Sequence, residues 1–397
     1  MPESLGLDIF RWAGIAALWL ALVACKSKPL DAAPNPSATG GADTVGGGQP
    51  GEIAGDQAGG ASGGDTAEVL GEPQRVQVLT RAHISSQEDA ENFQHVVSEV
   101  DFGQVSVARA TLRVTLESPC FPFDGWATLG VPAGQNWPAP CDAFDRTLSV
   151  TLDEAEPPSS SDTPGLELLR AITPFGGPLS VESDVTDVVN GLPGPHQLGL
   201  RIDTWSDADG IVSGSNGEWL ASAELLLWPG TAPRQVLAVV PLVLGPQTEV
   251  DAAPVGFEVP DGVSSARIDY RVTGHGAAFA PGCLGPAEEF CQRTHELRLD
   301  GELVSELRPW RDCSDMCTLT TNDSGYGPSQ YCAENPCGDP NSARAPRANW
   351  CPGSLTPPFE LEAPALTAPG PHELTRSIQQ LAPGGTWQVS ATYFAFQ

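Results

Sequence analysis

The sequence predicts an all-β chain of two tandem antiparallel sandwiches, on three observations. Apolar residues recur at every second position in several short segments. The 43 glycines and 38 prolines punctuate those segments, and no long amphipathic helical pattern occurs. The length beyond Pro73 suits two domains of about 160 residues each.

The chain opens with Arg11 followed by the apolar run Trp12–Ala24, which is too short to span a bilayer stably and has the form of an export signal. Glu3 and Asp8 make its start less basic than usual. Leu22-Val23-Ala24-Cys25 fits the pattern in which cleavage precedes a lipid-modified cysteine, the alternative being an ordinary secretory signal with a chance cysteine. From Lys26 to about Glu72 the chain is Gly, Ala, Asp and Pro with almost no aromatic residue. Such a segment cannot bury enough apolar surface to offset the entropy of ordering, so a flexible tether is expected. The expected division is a signal at 1–24, lipidated Cys25 and a disordered linker at 25–73, a first domain at 74–233 and a second at 234–397.

In the first domain, Leu112, Val114 and Leu116 alternate with Thr111, Arg113 and Thr115, which predicts a half-buried strand. In the second, Ala266, Ile268, Tyr270 and Val272 alternate with Arg267, Asp269 and Arg271 in the same way. Leu297–Val304 predicts a hairpin, because Asp300-Gly301 accepts the positive φ angles of a tight turn. Trp387–Phe396 predicts a final alternating strand. The domain boundary is expected near Pro229–Pro233, between strands at Ala221–Trp228 and Gln235–Leu244.

Acids outnumber bases by 50 to 20, for a formal charge of −30. That balance argues against nucleic acid or anionic lipid as a partner. Export makes the nine cysteines beyond Cys25 disulfide candidates before metal ligands. An odd number leaves one outside any set of internal pairs.

Two carboxylate-bearing segments stand out, Cys141-Asp142-Ala143-Phe144-Asp145-Arg146 and Glu288-Glu289-Phe290-Cys291-Gln292-Arg293-Thr294-His295. Between and beyond them lie Ile172-Thr173-Pro174-Phe175, Asp184-Val185-Thr186-Asp187, Ile202-Asp203-Thr204-Trp205 and Arg347-Ala348-Asn349-Trp350-Cys351-Pro352-Gly353. In this order, over roughly residues 75–397, these segments resemble those of the bacterial peptide-N-glycosidase F family. The resemblance implies two jelly-roll-like β-sandwich domains side by side, with an active site at their junction. It implies hydrolysis of the amide between an N-linked glycan and asparagine, without metal or other cofactor. The substrates implied are N-glycosylated proteins or glycopeptides, and a monomer is expected.

Position by position, Asp145 falls on the family's principal catalytic aspartate and Glu289 on its second essential acid. Asp145 would activate water, and Arg146 would keep that carboxylate ionised or polarise the carbonyl. Asp203 stands where the family has a sugar-contacting glutamate, one methylene longer. Trp205, Arg347 and Trp350 match family residues near the site, and Trp205 offers an indole face for a pyranose. The resemblance also implies the disulfides Cys120–Cys141, Cys283–Cys291 and Cys313–Cys351. Cys317, Cys332 and Cys337 are additional, with Cys332 pairing either Cys337 or Cys317, or with Cys313 joining all three around zinc.

The departures are specific. Phe144 and Phe290 replace family tryptophans, and His275 and Ala277 stand where the family carries Trp and His. The interval between Cys120 and Cys141 is much longer than in the family, so a loop with Pro122, Trp126 and Trp137 is expected to overhang the site. Asp207-Ala208-Asp209-Gly210 carries half of a calcium-loop signature, with Trp205 and Asn216 excluding an EF-hand. Copper chemistry is disfavoured by six scattered histidines and two methionines. The main alternative function is a non-catalytic glycan- or protein-binding module at the cell surface. The lipid anchor points to the bacterial envelope, with the outer membrane favoured by Lys26.

Overall fold

The structure, a computed structural model, describes residues 71–154, 164–207, 212–276, 283–285, 287–323 and 328–397. The signal, Cys25, nearly all of the linker, Ala277 and part of the Asp207–Gly210 segment lie outside the described residues. Every named strand pair is antiparallel.

The first sandwich sets one four-stranded sheet against a five-stranded one. The former has the order β1 (Gln74–Ser85), β8 (Glu218–Pro229), β3 (Val107–Glu117), β6 (Leu179–Asp184). The latter runs β16 (Ser354–Leu355), β5 (Leu166–Ile172), β4 (Thr147–Leu152), β7 (Pro195–Ile202), β2 (His95–Asp101). Period-two patterning fills the space between them. Leu112, Val114 and Leu116 of β3 face Leu148 and Val150 of β4 and Leu198, Leu200 and Ile202 of β7, all buried.

The second sandwich pairs β17 (Phe359–Leu361), β11 (Ser265–His275), β19 (Thr386–Phe396) and β9 (Val236–Gln247) with a second sheet. That sheet runs β10 (Val255–Val259), β18 (Gly370–Ile378), β12 (His295–Leu299), β13 (Glu302–Leu307). Ile268, Tyr270 and Val272 pack against Leu297, Leu299, Leu374 and Trp387. The β12–β13 turn has Asp300 at φ 51° and Gly301 at φ 85°, as its Asp-Gly pair predicts. A separate hairpin, β14 (Leu319–Asp323) and β15 (Pro328–Cys332), stands beside the two sandwiches. Three short helices complete the described fold: α1 (Trp126–Leu129), α2 (Thr186–Gly191) and α3 (Pro340–Arg344).

One expectation is corrected. The charged face of β11 does not meet solvent, since Arg267 and Arg271 are only 8% and 7% exposed. Alternation shows that the two faces differ, but not what each face touches. Here the second face meets the first domain. Arg271 Nη1 donates to Glu167 Oε2 on β5 at 3.1 Å, and Arg267 Nη1 donates to Asp187 of α2 at 2.9 Å. The alternation of β19 is lost for the same reason, because Phe394 and Phe396 join the first core.

Glu167 is the centre of this junction. Arg170 grips it through two hydrogen bonds of 2.8 and 2.9 Å, and Ser390 of β19 donates to it as well. Arg170 also donates to the Gln388 carbonyl at 2.7 Å, across the domain boundary. Burial pushes the Glu167 carboxyl up, but Arg170 and Arg271 more than offset this and hold it below the ordinary carboxylate range.

The short strand β16 was not foreseen. Although it follows Cys351 in the second half, it adds to the edge of the first domain's sheet, Ser354 opposite Ile172 and Leu355 opposite Ala171. The backbone bonds Gly353 N to Ile172 O (3.0 Å) and Thr356 N to Arg170 O (2.8 Å) extend that seam. It draws the Arg347–Trp350 segment to the end of β5, beside the loop that carries Asp145.

Candidate active site

Cys141 opens the first acid segment and is tied to Cys120 by a disulfide. Asp142 is fully buried and accepts both the Phe144 backbone N–H (3.1 Å) and Arg146 Nε (3.0 and 3.1 Å). The neighbouring Thr173 clamps Arg146 from the other side. Its hydroxyl accepts the Arg146 N–H at 2.8 Å, and its N–H donates to the Arg146 carbonyl at 2.8 Å. Asp145 projects from this pinned turn and stays partly exposed.

Arg146 does not bond Asp145 directly, because its Nε is committed to Asp142. Its influence on Asp145 is through space. Burial raises the Asp145 carboxyl above the ordinary range, with Arg347 and then Arg146 opposing the rise. The Arg146 guanidinium lies between two rings, 5.0 Å from the Phe144 centroid and 5.2 Å from that of Trp205. Its Nη2 is buried with no acceptor among the described residues.

The second acid segment is a 3-10 turn, Glu288–Phe290, closed by the Cys283–Cys291 disulfide. Its two glutamates have opposite fates. Glu288 is buried, bonded twice to Arg293 at 2.7 Å and accepting Trp387 Nε1 at 3.0 Å, so it anchors the turn. Glu289 points the other way, 26% exposed, and accepts Arg347 Nη1 at 2.6 Å. The Ala348 N–H donates to the Glu289 carbonyl at 2.7 Å, joining the turn to the Arg347 segment. Burial, reinforced by the charge of Asp145 and opposed by Arg347, pushes the Glu289 carboxyl up to about 7. The acids from the two domains thus share one electrostatic site.

Arg347 is itself 1% exposed and is built into a stack. Its guanidinium lies 4.8 Å from the Phe290 centroid and 4.5 Å from that of Trp350, and His275 stacks on the far side of Trp350 at 5.4 Å. Nη2 of Arg347 donates to the Ser342 carbonyl and hydroxyl at 2.9 and 3.0 Å. Burial, followed by the nearby Arg170 and Arg347, pushes His275 down to about 3, so it stacks as a neutral ring.

One further expectation changes. Trp350 is 2% exposed and donates to the Gly274 carbonyl at 2.8 Å, so it supports Arg347 and has no face open to a ligand. Asp203 accepts Arg201 Nε at 2.8 Å while its side chain stays 42% exposed. Asp203 and Trp205 lie in the irregular segment that follows β7, and Trp205 remains partly exposed near Phe144, 5.9 Å between ring centroids.

The sulfur framework contains Cys120–Cys141, Cys283–Cys291, Cys313–Cys351 and Cys317–Cys332. The zinc arrangement is excluded, since three of its four cysteines are in disulfides. Cys337 lies beside the first bridge, its sulfur within 4.8 Å of both others. Asp142, Thr173, Glu288 and Ser342 were not foreseen as parts of the site. Only the closeness of Asp142 to Arg146 and of Glu288 to Arg293 in sequence hinted at their pairing.

Residues 246–394 match the family model described as Peptide-N-glycosidase F, C terminal. The second domain is thus similar to the C-terminal domain of peptide-N-glycosidase F. Solved structures extend the likeness across both sandwiches. PNGF-II superposes with a TM-score of 0.60 at 19% identity, over 82% of this chain and 66% of that one, just under two thirds. A peptide-N(4)-(N-acetyl-β-D-glucosaminyl) asparagine amidase gives 0.59 at 18% identity, over 82% and 96% of the respective chains. PNGase F, a glycosylasparaginase from Flavobacterium meningosepticum, gives 0.60 at 17% identity, over 82% and 96%. At these identities the structures establish the shared two-domain β-sandwich fold of peptide-N-glycosidase F. A search of curated proteins returned no match.

Proposed function

We propose that the protein is a peptide-N-glycosidase, hydrolysing the amide that joins an N-linked glycan to asparagine. The observation that carries this reading is one electrostatic site holding Asp145 and Glu289 from different domains, with the buried Arg347 acting on both carboxyls and Arg146 on Asp145 through space.

An amide resists water because its carbonyl is a weak electrophile and its nitrogen a poor leaving group. Asp145 takes a proton from water as the water oxygen bonds to the carbonyl carbon. Two arginines pull on Asp145, whereas Glu289 feels one arginine and the negative charge of Asp145. This asymmetry assigns the base to Asp145 and the proton to Glu289, a division of labour common to paired carboxylates. The Arg146 guanidinium, acting through space, steadies the negative charge that develops on the carbonyl oxygen. The C–N bond then breaks as Glu289 protonates the departing nitrogen, giving peptidyl aspartate and a glycosylamine. Trp205 lies beside the sugar. The export signal and Cys25 support a lipid-anchored protein of the bacterial envelope.

Glycan release from a glycopeptide is the direct assay, with Asp145→Asn as the inactive control. No release from several glycan types by folded protein favours the binding module instead. Arg347→Lys keeps the charge but loses the fork that holds Glu289 and Ser342 together. Its kcat/KM is expected to fall by about 10- to 100-fold, with the alkaline limb of the pH profile displaced. A change below about 3-fold, no larger than an exposed ion pair is worth, would remove Arg347 from the positioning role.

A further inference from the structure

The long interval between Cys120 and Cys141 builds a cleft that the reaction above does not use. The cleft encloses about 320 Å³ and is lined by Pro132, Gln135, Trp137, Val212 and Asn216. That volume lies at the low end of the roughly 300–1,000 Å³ of small-molecule sites. We infer that this cleft is a saccharide subsite, which holds a sugar of the N-linked oligosaccharide away from the scissile amide.

Three observations carry the assignment. The first is chemical. A partly exposed indole next to side-chain amides offers an apolar face for the C–H side of a pyranose, with donors and acceptors for its hydroxyls. Asn216 is held in place by Asp207, its Nδ2 donating to the Asp207 carbonyl at 2.8 Å and its Oδ1 accepting the Asp207 N–H at 2.5 Å, which leaves one N–H and one lone pair for a ligand.

The second is rigidity. Trp137 meets Trp126 edge-on at 5.4 Å, Trp126 meets Phe123 at 5.3 Å, and Phe123 meets Tyr331 of β15 at 5.0 Å. Trp126 Nε1 donates to the Cys120 carbonyl at 2.9 Å, so the chain of rings ends on the disulfide. Four rings reaching to the β14–β15 hairpin hold the loop, and a sugar binding there orders little.

The third is position. Gly214 sits at φ +81°, where a Cβ would come within 2.6 Å of Trp137 Cδ1 and 2.7 Å of the Ala143 Cβ. Its carbonyl accepts the Ala143 N–H at 2.9 Å. Trp137, Gly214 and Ala143 are therefore in mutual contact, two residues before Asp145. The cleft shares a wall with the catalytic turn, so one oligosaccharide can occupy both.

This inference rests on the amidase reading, and the test separates the two. Ala133 lines the cleft and is exposed, so Ala133→Trp fills it without removing a contact. Trp137→Ala removes the indole. Binding of free N-linked oligosaccharide is followed by tryptophan fluorescence and NMR, beside kcat/KM for glycopeptides with complete or trimmed glycans. Both variants are expected to weaken oligosaccharide binding by on the order of 10-fold, as loss of one aromatic–sugar contact implies. They are expected to lower kcat/KM for the complete glycan by a similar factor, leaving a glycopeptide trimmed to its linkage sugar nearly unchanged. Binding reversed by Ala133→Trp in a protein that releases no glycan upholds the subsite and overturns the amidase. Glycan release with equal kcat/KM for both substrates in Ala133→Trp overturns the subsite and leaves the amidase standing. Absence of oligosaccharide binding by the wild-type protein overturns it as well.

Discussion

Glu289→Gln is expected to lower kcat/KM by about 10²- to 10⁴-fold and to abolish the alkaline limb of its pH profile. The Glu289 carboxyl is pushed up to about 7, so as a proton donor it is lost as pH rises through that value. Wild-type activity should accordingly decline above neutrality, while glutamine has no proton to lose. The same substitution should stabilise the fold. A carboxyl whose pKa is raised by folding favours the native state when protonated and disfavours it once ionised. Its penalty therefore grows from about pH 4.5, the ordinary value, to about 7. Removing the charge should return on the order of 1–3 kcal/mol at pH 8, with little effect at pH 4. Urea unfolding at the two pH values distinguishes this strained catalytic acid from a structural ion pair. An equal loss of stability at both pH values would contradict the assignment.

Glu167→Gln is expected to produce the largest loss of stability. The wild-type carboxylate, 1% exposed, compensates Arg170 and Arg271, which are 3% and 9% exposed. Glutamine leaves two buried guanidinium groups facing each other with one neutral partner. Removing one member of a buried charge cluster costs about 3–5 kcal/mol. The pH dependence has the opposite sign to that of Glu289. A carboxyl held below its ordinary pKa contributes stability that is complete above about pH 4.5 and is lost as pH falls through the folded value. The wild-type protein should lose this contribution in acid and the variant should not. A loss under about 1 kcal/mol at pH 7, the range of an exposed pair, would show that water reaches the junction.

The two glutamates show what could be read from residues alone. Strand patterning was legible wherever one face met a core, as at Leu112, Val114 and Leu116, and the Asp300-Gly301 turn was legible from its φ requirements. The ionic junction was not. Arg267, Asp269 and Arg271 alternate with apolar residues as an exposed strand face does, and only the position of the first domain makes that face an interface. The candidate acids were visible through resemblance, but the partner of each arginine was a matter of geometry. Arg146 turns to Asp142 rather than Asp145, and Arg347 reaches across 58 positions to Glu289. Trp350 was expected among the substrate-binding residues because its segment matches the family near the site, yet its indole lies buried against Arg347. Strand β16 is two residues long, too short for any periodicity to reveal it.

The most direct test of the central claim, that Asp145 and Glu289 jointly hydrolyse the glycan–asparagine amide, uses the described domains and a denatured N-glycoprotein in ¹⁸O-labelled water. Peptide mass reports the fate of the linkage residue. The account predicts that asparagine becomes aspartate carrying one heavy oxygen, and that Asp145→Asn suppresses the conversion. Release that leaves a sugar on asparagine, or conversion undiminished in Asp145→Asn, would contradict it.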